Sequence, residues 1–109
     1  MKRLEMSEDD LLKGVLQMAR LFKWLSYHAR PAMLKNGSWR TAVSGDGKGF
    51  PDVVLLRDNR CLAWELKASK GKATPEQTNW LQAFKRAGWE ARIIRPEDWH
   101  SGTIERLLK

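Results

Sequence analysis

Asp52, Glu65 and Lys67 are the residues whose types and spacing offer chemistry. Val53-Val54-Leu55-Leu56 and Cys61-Leu62-Ala63-Trp64-Glu65-Leu66-Lys67 read as two strands joined by Arg57-Asp58-Asn59-Arg60. Asp and Asn tolerate the left-handed conformations that a tight hairpin turn requires. With Asp58 and Asn59 as a two-residue turn, Arg57 faces Arg60, Leu55 faces Leu62, and Asp52 faces Glu65. Opposed residues share a face with Cβ atoms about 5 Å apart. Two carboxylates so placed repel unless a proton or a cation lies between them. Lys67, two residues beyond Glu65, projects from the same face. Such a cluster suits divalent-metal hydrolysis of phosphodiesters. Mg²⁺ takes one or two carboxylates together with water and substrate phosphate. The ion polarises the phosphate and lowers the pKa of a bound water. Lys67 would orient that water or neutralise charge developing on phosphoryl oxygens. A Glu-x-Lys alone is an ordinary solvent-facing pair, and Asp52 alone a turn residue after Pro51; the hairpin-opposed spacing joins them.

The elements that must position these residues follow from periodicity and caps. Ser7 reads as an N-cap, with Glu8, Asp9 and Asp10 in a first turn where the helix dipole favours acids. Leu11, Leu12, Val15, Leu16, Met18, Ala19 and Phe22 then recur with a helical period. Trp24 to Ala29 reads as a short strand. From Arg30 to Gly49 no period is clear, with a further short strand expected over Trp39 to Val43. Thr74-Pro75-Glu76-Gln77 opens a helix, Thr74 as N-cap, Pro75 in first position and Gln77 closing a capping box. That helix carries Trp80, Leu81 and Phe84 and stops at Gly88. Ala91 to Arg95 is a strand, Pro96 to Trp99 begins a helical turn, and Thr103 to Leu108 forms a last helix. The order predicts an α/β fold with an αβββαβ core, a small mixed sheet flanked by helices, in a single domain over residues 1–109.

Composition narrows the partner. Twenty Lys and Arg against thirteen Asp and Glu give a net charge of +7, which favours a polyanion. The excess is uneven: between Leu11 and Pro51 lie Lys13, Arg20, Lys23, Arg30, Lys35, Arg40 and Lys48 against Asp46 alone. No apolar run approaches the roughly 20 residues of a membrane span, and the basic first residues lead into no apolar stretch. The single cysteine, Cys61, suits a reducing cytoplasm. Cys61, His28 and His100 lack zinc spacing. A cytoplasmic protein that binds nucleic acid, with no membrane partner and no small-molecule cofactor, is expected.

The joint pattern resembles a known family. Gly49-Phe50-Pro51-Asp52, Glu65-Leu66-Lys67, Gly71-Lys72 before Thr74-Pro75-Glu76-Gln77, the Trp80 helix, Gly88-Trp89 and Arg95-Pro96-Glu97-Asp98-Trp99 are similar to the VRR-NUC family of the PD-(D/E)xK nuclease superfamily. The likeness runs from Glu8 through Trp99. It implies that Asp52 and Glu65 bind Mg²⁺ or Mn²⁺ with the backbone carbonyl of Leu66, and that Lys67 is the catalytic lysine. It also implies a restriction-endonuclease-like fold. Stand-alone members of this size resemble phage and bacterial enzymes that resolve Holliday junctions as homodimers, so branched DNA and a second copy of the chain are the expected partners. The family has a glutamate in its first helix, which points to Glu8 as a ligand, directly or through water. Glu8 shares a helical face with Leu12 and Val15, so a buried carboxylate is expected there. The family also places a glutamine near the catalytic residues, a role that falls on Gln77 beside its capping role.

Other residues carry weaker signals. Lys70 and Lys72, with no acid between them and Lys67, are candidates to hold phosphates, as are Arg40 and Lys48; Arg30, Lys35 and Trp39 join them in the same loop. Trp24, Trp64, Trp80 and Trp89 fall in apolar patterns and are expected in the core or an interface; a lone His28 in a strand reads as structural. Two rival readings remain: the same chemistry on another target (a nickase, a flap or a restriction-like enzyme), and a non-catalytic basic module that binds nucleic acid. The second would leave two opposed carboxylates beside a phosphate-binding face, which repels DNA unless a cation intervenes.

Overall fold

A computed structural model of the chain describes residues 5–29, 32–33, 35–40 and 45–109. The first helix, α1 (Glu8–Leu21), starts at Ser7, whose hydroxyl accepts from Asp10 N–H at 3.0 Å while the Asp10 carboxylate answers the Ser7 amide. Its buried stripe is Leu11, Val15 and Ala19, one residue per turn along a single face. Strand β1 (Leu25–Tyr27) follows, then two short strands, β2 (Ala32–Met33) and β3 (Trp39–Arg40), which pair with each other. The strand expected over Trp39 to Val43 is therefore β3 in its first two residues; residues 41–43 lie outside the described ones, as does Arg30.

The hairpin of β4 (Val53–Arg57) and β5 (Arg60–Leu66) has the expected register, Arg57 against Arg60 and Leu55 against Leu62, with Asp58 left-handed at φ 52°. After α2 (Pro75–Arg86) the chain enters β6 (Glu90–Ile94), then α3 (Pro96–His100) and α4 (Thr103–Leu108). The sheet order is β1-β4-β5-β6, antiparallel except for the parallel β5–β6 pair. The αβββαβ core is thus present, with the β2–β3 ladder inserted between its first two strands.

The two faces of the sheet are covered unequally. Val53, Leu55, Leu62, Trp64, Leu66 and Ile94 form one core with Leu11, Val15, Ala19, Trp24, Ile104 and Leu108, so α1 and α4 close that face. On the other, Ala63 and Ala91 meet Leu81 of α2, and α2 contacts β5 and β6. The β1–β4 half of this second face leaves Leu25 75% and Tyr27 61% exposed. Trp24 and Trp64 are buried as expected; Trp80 and Trp89 are half-buried beside Phe84. Arg57 ties the ends of the first core together, donating to Phe22 O and Leu108 O, with Trp24 Nε1 also on Leu108 O. Among the described residues no helix is long and apolar enough to cross a membrane.

Candidate active site

The β4–β5 ladder ends at Val53 opposite Trp64, one residue short of Asp52 and Glu65. Asp52 precedes β4, and its Oδ2 accepts the Leu66 amide at 2.8 Å, which ties this carboxylate to the end of β5. Glu65, paired with Ile93, faces the α2 side of the sheet. It is 2% exposed and is the buried charged side chain among the described residues. Among the described residues its Oε2 has no hydrogen-bond partner, a costly state for a buried carboxylate. Burial first, and then the adjacent Asp52 carboxyl, push the Glu65 carboxyl up to about 9; Lys67 opposes this and Glu8 adds to it. Lys67 is half-buried, and its amide continues the parallel ladder onto Ile94 O at 3.0 Å.

The loop that delivers Asp52 is fastened to α2. Trp80 Nε1 donates to Asp46 O at 2.9 Å and lies near Lys48 O at 3.2 Å. The Phe50 ring meets Trp80 edge-on at 5.1 Å. Gly49 sits at φ +85°, where a Cβ would come within 2.7 Å of Glu76 backbone and 2.8 Å of Gln77 N. Gly49→Ala is accordingly expected to cost about 2–4 kcal/mol, combining left-handed strain with overpacking. Denaturant unfolding tests this, and a variant within about 0.5 kcal/mol of the parent would show that the loop can move off α2.

His28, which reads from the sequence as a structural residue near the proposed site, braces Asp52. Its Nδ1 lies 2.7 Å from Asp52 O; since a carbonyl only accepts, Nδ1 carries the proton and donates. Asp52 is therefore held at both its main chain and its carboxylate. The signal was the pairing of β1 on β4, Tyr27 against Val54, which continues to place His28 beside Val53; apolar alternation alone does not reveal that pairing.

The remaining candidates divide. Glu8 is solvent-exposed, not buried as expected. The buried stripe is centred on Leu11, Val15 and Ala19, so Leu12 is only half-buried and Glu8 shares the exposed first turn with Asp9 and Asp10. Gln77 spends its Oε1 on the Thr74 amide at 2.9 Å, the capping role, and keeps its NH₂ donors. Lys70 and Lys72 are exposed in the loop after Lys67. Lys48 stands 3.7 Å from Glu76 on an exposed pair. Arg40 lies in β3, in the separate two-stranded sheet.

Among the described residues no three His, Cys, Asp or Glu side chains gather into a metal cage of their own. Asp52 with the unpartnered oxygen of Glu65 is instead a two-carboxylate, all-oxygen set, which fits a hard divalent cation that keeps waters and takes phosphate oxygens.

The sequence model of the VRR-NUC domain matches residues 19–97. The chain belongs to the VRR-NUC family. Membership implies a nuclease, hence a hydrolase, with a nucleic-acid substrate. The matched span includes Asp52, Glu65, Lys67 and Gln77 and begins after Glu8. A solved structure described as a VRR_NUC domain protein is similar in fold, with a TM-score of 0.55 at 18% identity, over 97% of this chain and 89% of that one. No curated protein matches the chain.

Proposed function

We propose that this VRR-NUC chain is a metal-dependent DNA endonuclease of the PD-(D/E)xK kind, selective for branched DNA in the manner of a Holliday-junction resolvase. The observation that carries the reading is the buried Glu65 carboxyl with an unpartnered oxygen, beside an Asp52 carboxylate fixed on the Leu66 amide. Asp52, Glu65 and the Leu66 carbonyl would hold Mg²⁺ or Mn²⁺, with Glu8 reaching the site through water from its exposed turn. When bound, such an ion polarises the scissile phosphate and makes a bound water acidic enough to attack.

The protein's own groups do the rest. The Lys67 ammonium orients the attacking water and offsets charge developing on the phosphoryl oxygens. The NH₂ of Gln77, at the start of α2, adds a donor near the same place. Lys70, Lys72, Arg40 and Lys48 hold flanking phosphates; Lys48 gives up only a solvent-screened, exposed ion pair with Glu76. A homodimer fits the uncovered β1–β4 half of the sheet, where Leu25, Tyr27 and Leu56 expose apolar surface, and a two-fold pair would place two cuts symmetrically. The single cysteine fits a cytoplasmic setting.

Labelled four-way-junction DNA and a linear duplex of matching sequence, incubated with Mg²⁺, Mn²⁺ or EDTA, test this reading. The expected result is paired cuts near the branch point in either metal and none in EDTA. Equal cutting of both DNAs would retain a nuclease with another target. Binding without cleavage in any metal would replace the enzyme with a basic binding module.

A further inference from the structure

The loop after Lys67 is fastened by one distant side chain. Ala68 to Gly71 close a turn, the Gly71 amide donating to Ala68 O at 3.0 Å. Arg95 Nη1 donates to the same Ala68 O at 2.8 Å and to Gly71 O at 2.7 Å, with Ser69 O at 3.5 Å. Those two short bonds occupy both hydrogens of that nitrogen. They are charge-assisted, hence stronger than neutral ones, and among the described residues Arg95 forms no ion pair. That nitrogen is thus committed to main-chain carbonyls.

Arg95 is itself well placed. It follows Ile94, whose carbonyl accepts the Lys67 amide, and its own amide donates to Asp98 Oδ2 at 2.8 Å where α3 begins. The turn that it grips bears directly on Lys67, since a Cβ on Gly71 would lie 3.5 Å from Lys67 Cδ. The turn also carries Lys70 and leads into Lys72, both exposed. Three ammonium groups within six residues repel one another, so a loop free to relax would spread them.

We propose that Arg95 is a positioning residue: by clasping the Ala68–Gly71 turn it braces the Lys67 stem and aligns Lys67, Lys70 and Lys72 as one phosphate-binding row, without touching DNA itself. The role given to Lys67 rests on the nuclease reading; the phosphate-binding role of the turn is read separately, without metal. Preorganised cations bind phosphates at a lower ordering cost, and each phosphate neutralised adds about 0.9 to the salt slope of duplex binding.

Arg95→Ala, Lys70→Ala/Lys72→Ala and the triple variant would be titrated against a labelled duplex in EDTA over a range of salt. Arg95→Ala is expected to weaken binding about tenfold and to lower the salt slope by nearly two, although it removes one charge. In the background lacking Lys70 and Lys72, the same substitution is expected to change binding less than twofold. A full effect persisting in that background would overturn the proposal, because Arg95 would then be meeting phosphate directly. The lysine double variant alters only surface residues and folds whatever Arg95 does, so its binding like the parent would also overturn it. A parent chain that binds in this way yet cleaves nothing in Mg²⁺ or Mn²⁺ would sink the nuclease reading and leave this inference standing.

Discussion

Glu65→Gln is expected to abolish metal-dependent cleavage, by a factor of about a thousand or more, and at the same time to make the metal-free protein harder to unfold at pH 8. The loss follows from removing one of two carboxylates in the proposed ligand set. The gain follows from the cost of the carboxylate when nothing neutralises it. The folded pKa is raised from 4.5 to about 9, so the folded state holds a proton that the unfolded chain releases. Stability from this group is fully present below about pH 4.5 and is lost as pH rises toward 9. At pH 8 the parent carries a penalty on the order of a few kcal/mol, because the Asp52 interaction is shared between the two carboxyls. An uncharged amide of the same shape escapes it. Thermal melts of the two proteins in EDTA should differ by about 5 °C or more at pH 8, and the gap should narrow toward pH 5. Added Mg²⁺ or Mn²⁺ should raise the parent's melting temperature and leave the variant's alone. Equal melting temperatures at pH 8 would show that the buried carboxyl is relieved by something other than a cation.

Lys67→Ala is expected to separate binding from chemistry. Asp52, Glu65 and the Leu66 carbonyl remain, so the metal-induced rise in melting temperature should persist. The single-turnover cleavage rate should fall about a hundred- to a thousandfold, the usual effect of losing one donor aimed at charge that develops in the transition state. Lys67 also opposes the upward shift of the Glu65 carboxyl, so the variant should require higher pH or more metal for the same occupancy. A variant that cleaves within about threefold of the parent would remove Lys67 from the mechanism and leave its ammonium with phosphate binding alone.

Both predictions depend on a hairpin that was legible before any coordinates. Asp58-Asn59 set a two-residue turn, the apolar runs on either side set the faces, and together they specify which residue opposes which, Leu55 with Leu62 and Arg57 with Arg60. The caps at Ser7 and Thr74 were readable for the same reason: their hydrogen bonds close within three residues, so local sequence contains both partners. The charge excess is likewise a property of the chain alone.

What only the tertiary structure decided are contacts whose partners lie far apart along the chain. The pairing of β1 on β4 brings His28 to the Asp52 carbonyl across 24 residues. Arg95 reaches back to Ala68, Trp80 fastens the loop at Asp46, and neither shows in any period. Helical periodicity marks an apolar face but not where along that face the sheet ends, which is why Glu8 looked buried and is exposed. Alternation likewise identifies a strand's two faces without saying how much of the sheet a single helix spans: α2 packs Leu81 on Ala63 of β5 and Ala91 of β6 and leaves Leu25 and Tyr27 on the β1–β4 half exposed. Local hydrogen bonding and alternation specify elements; chain closure over tens of residues, paid for in conformational entropy and offset by burial, assembles the site.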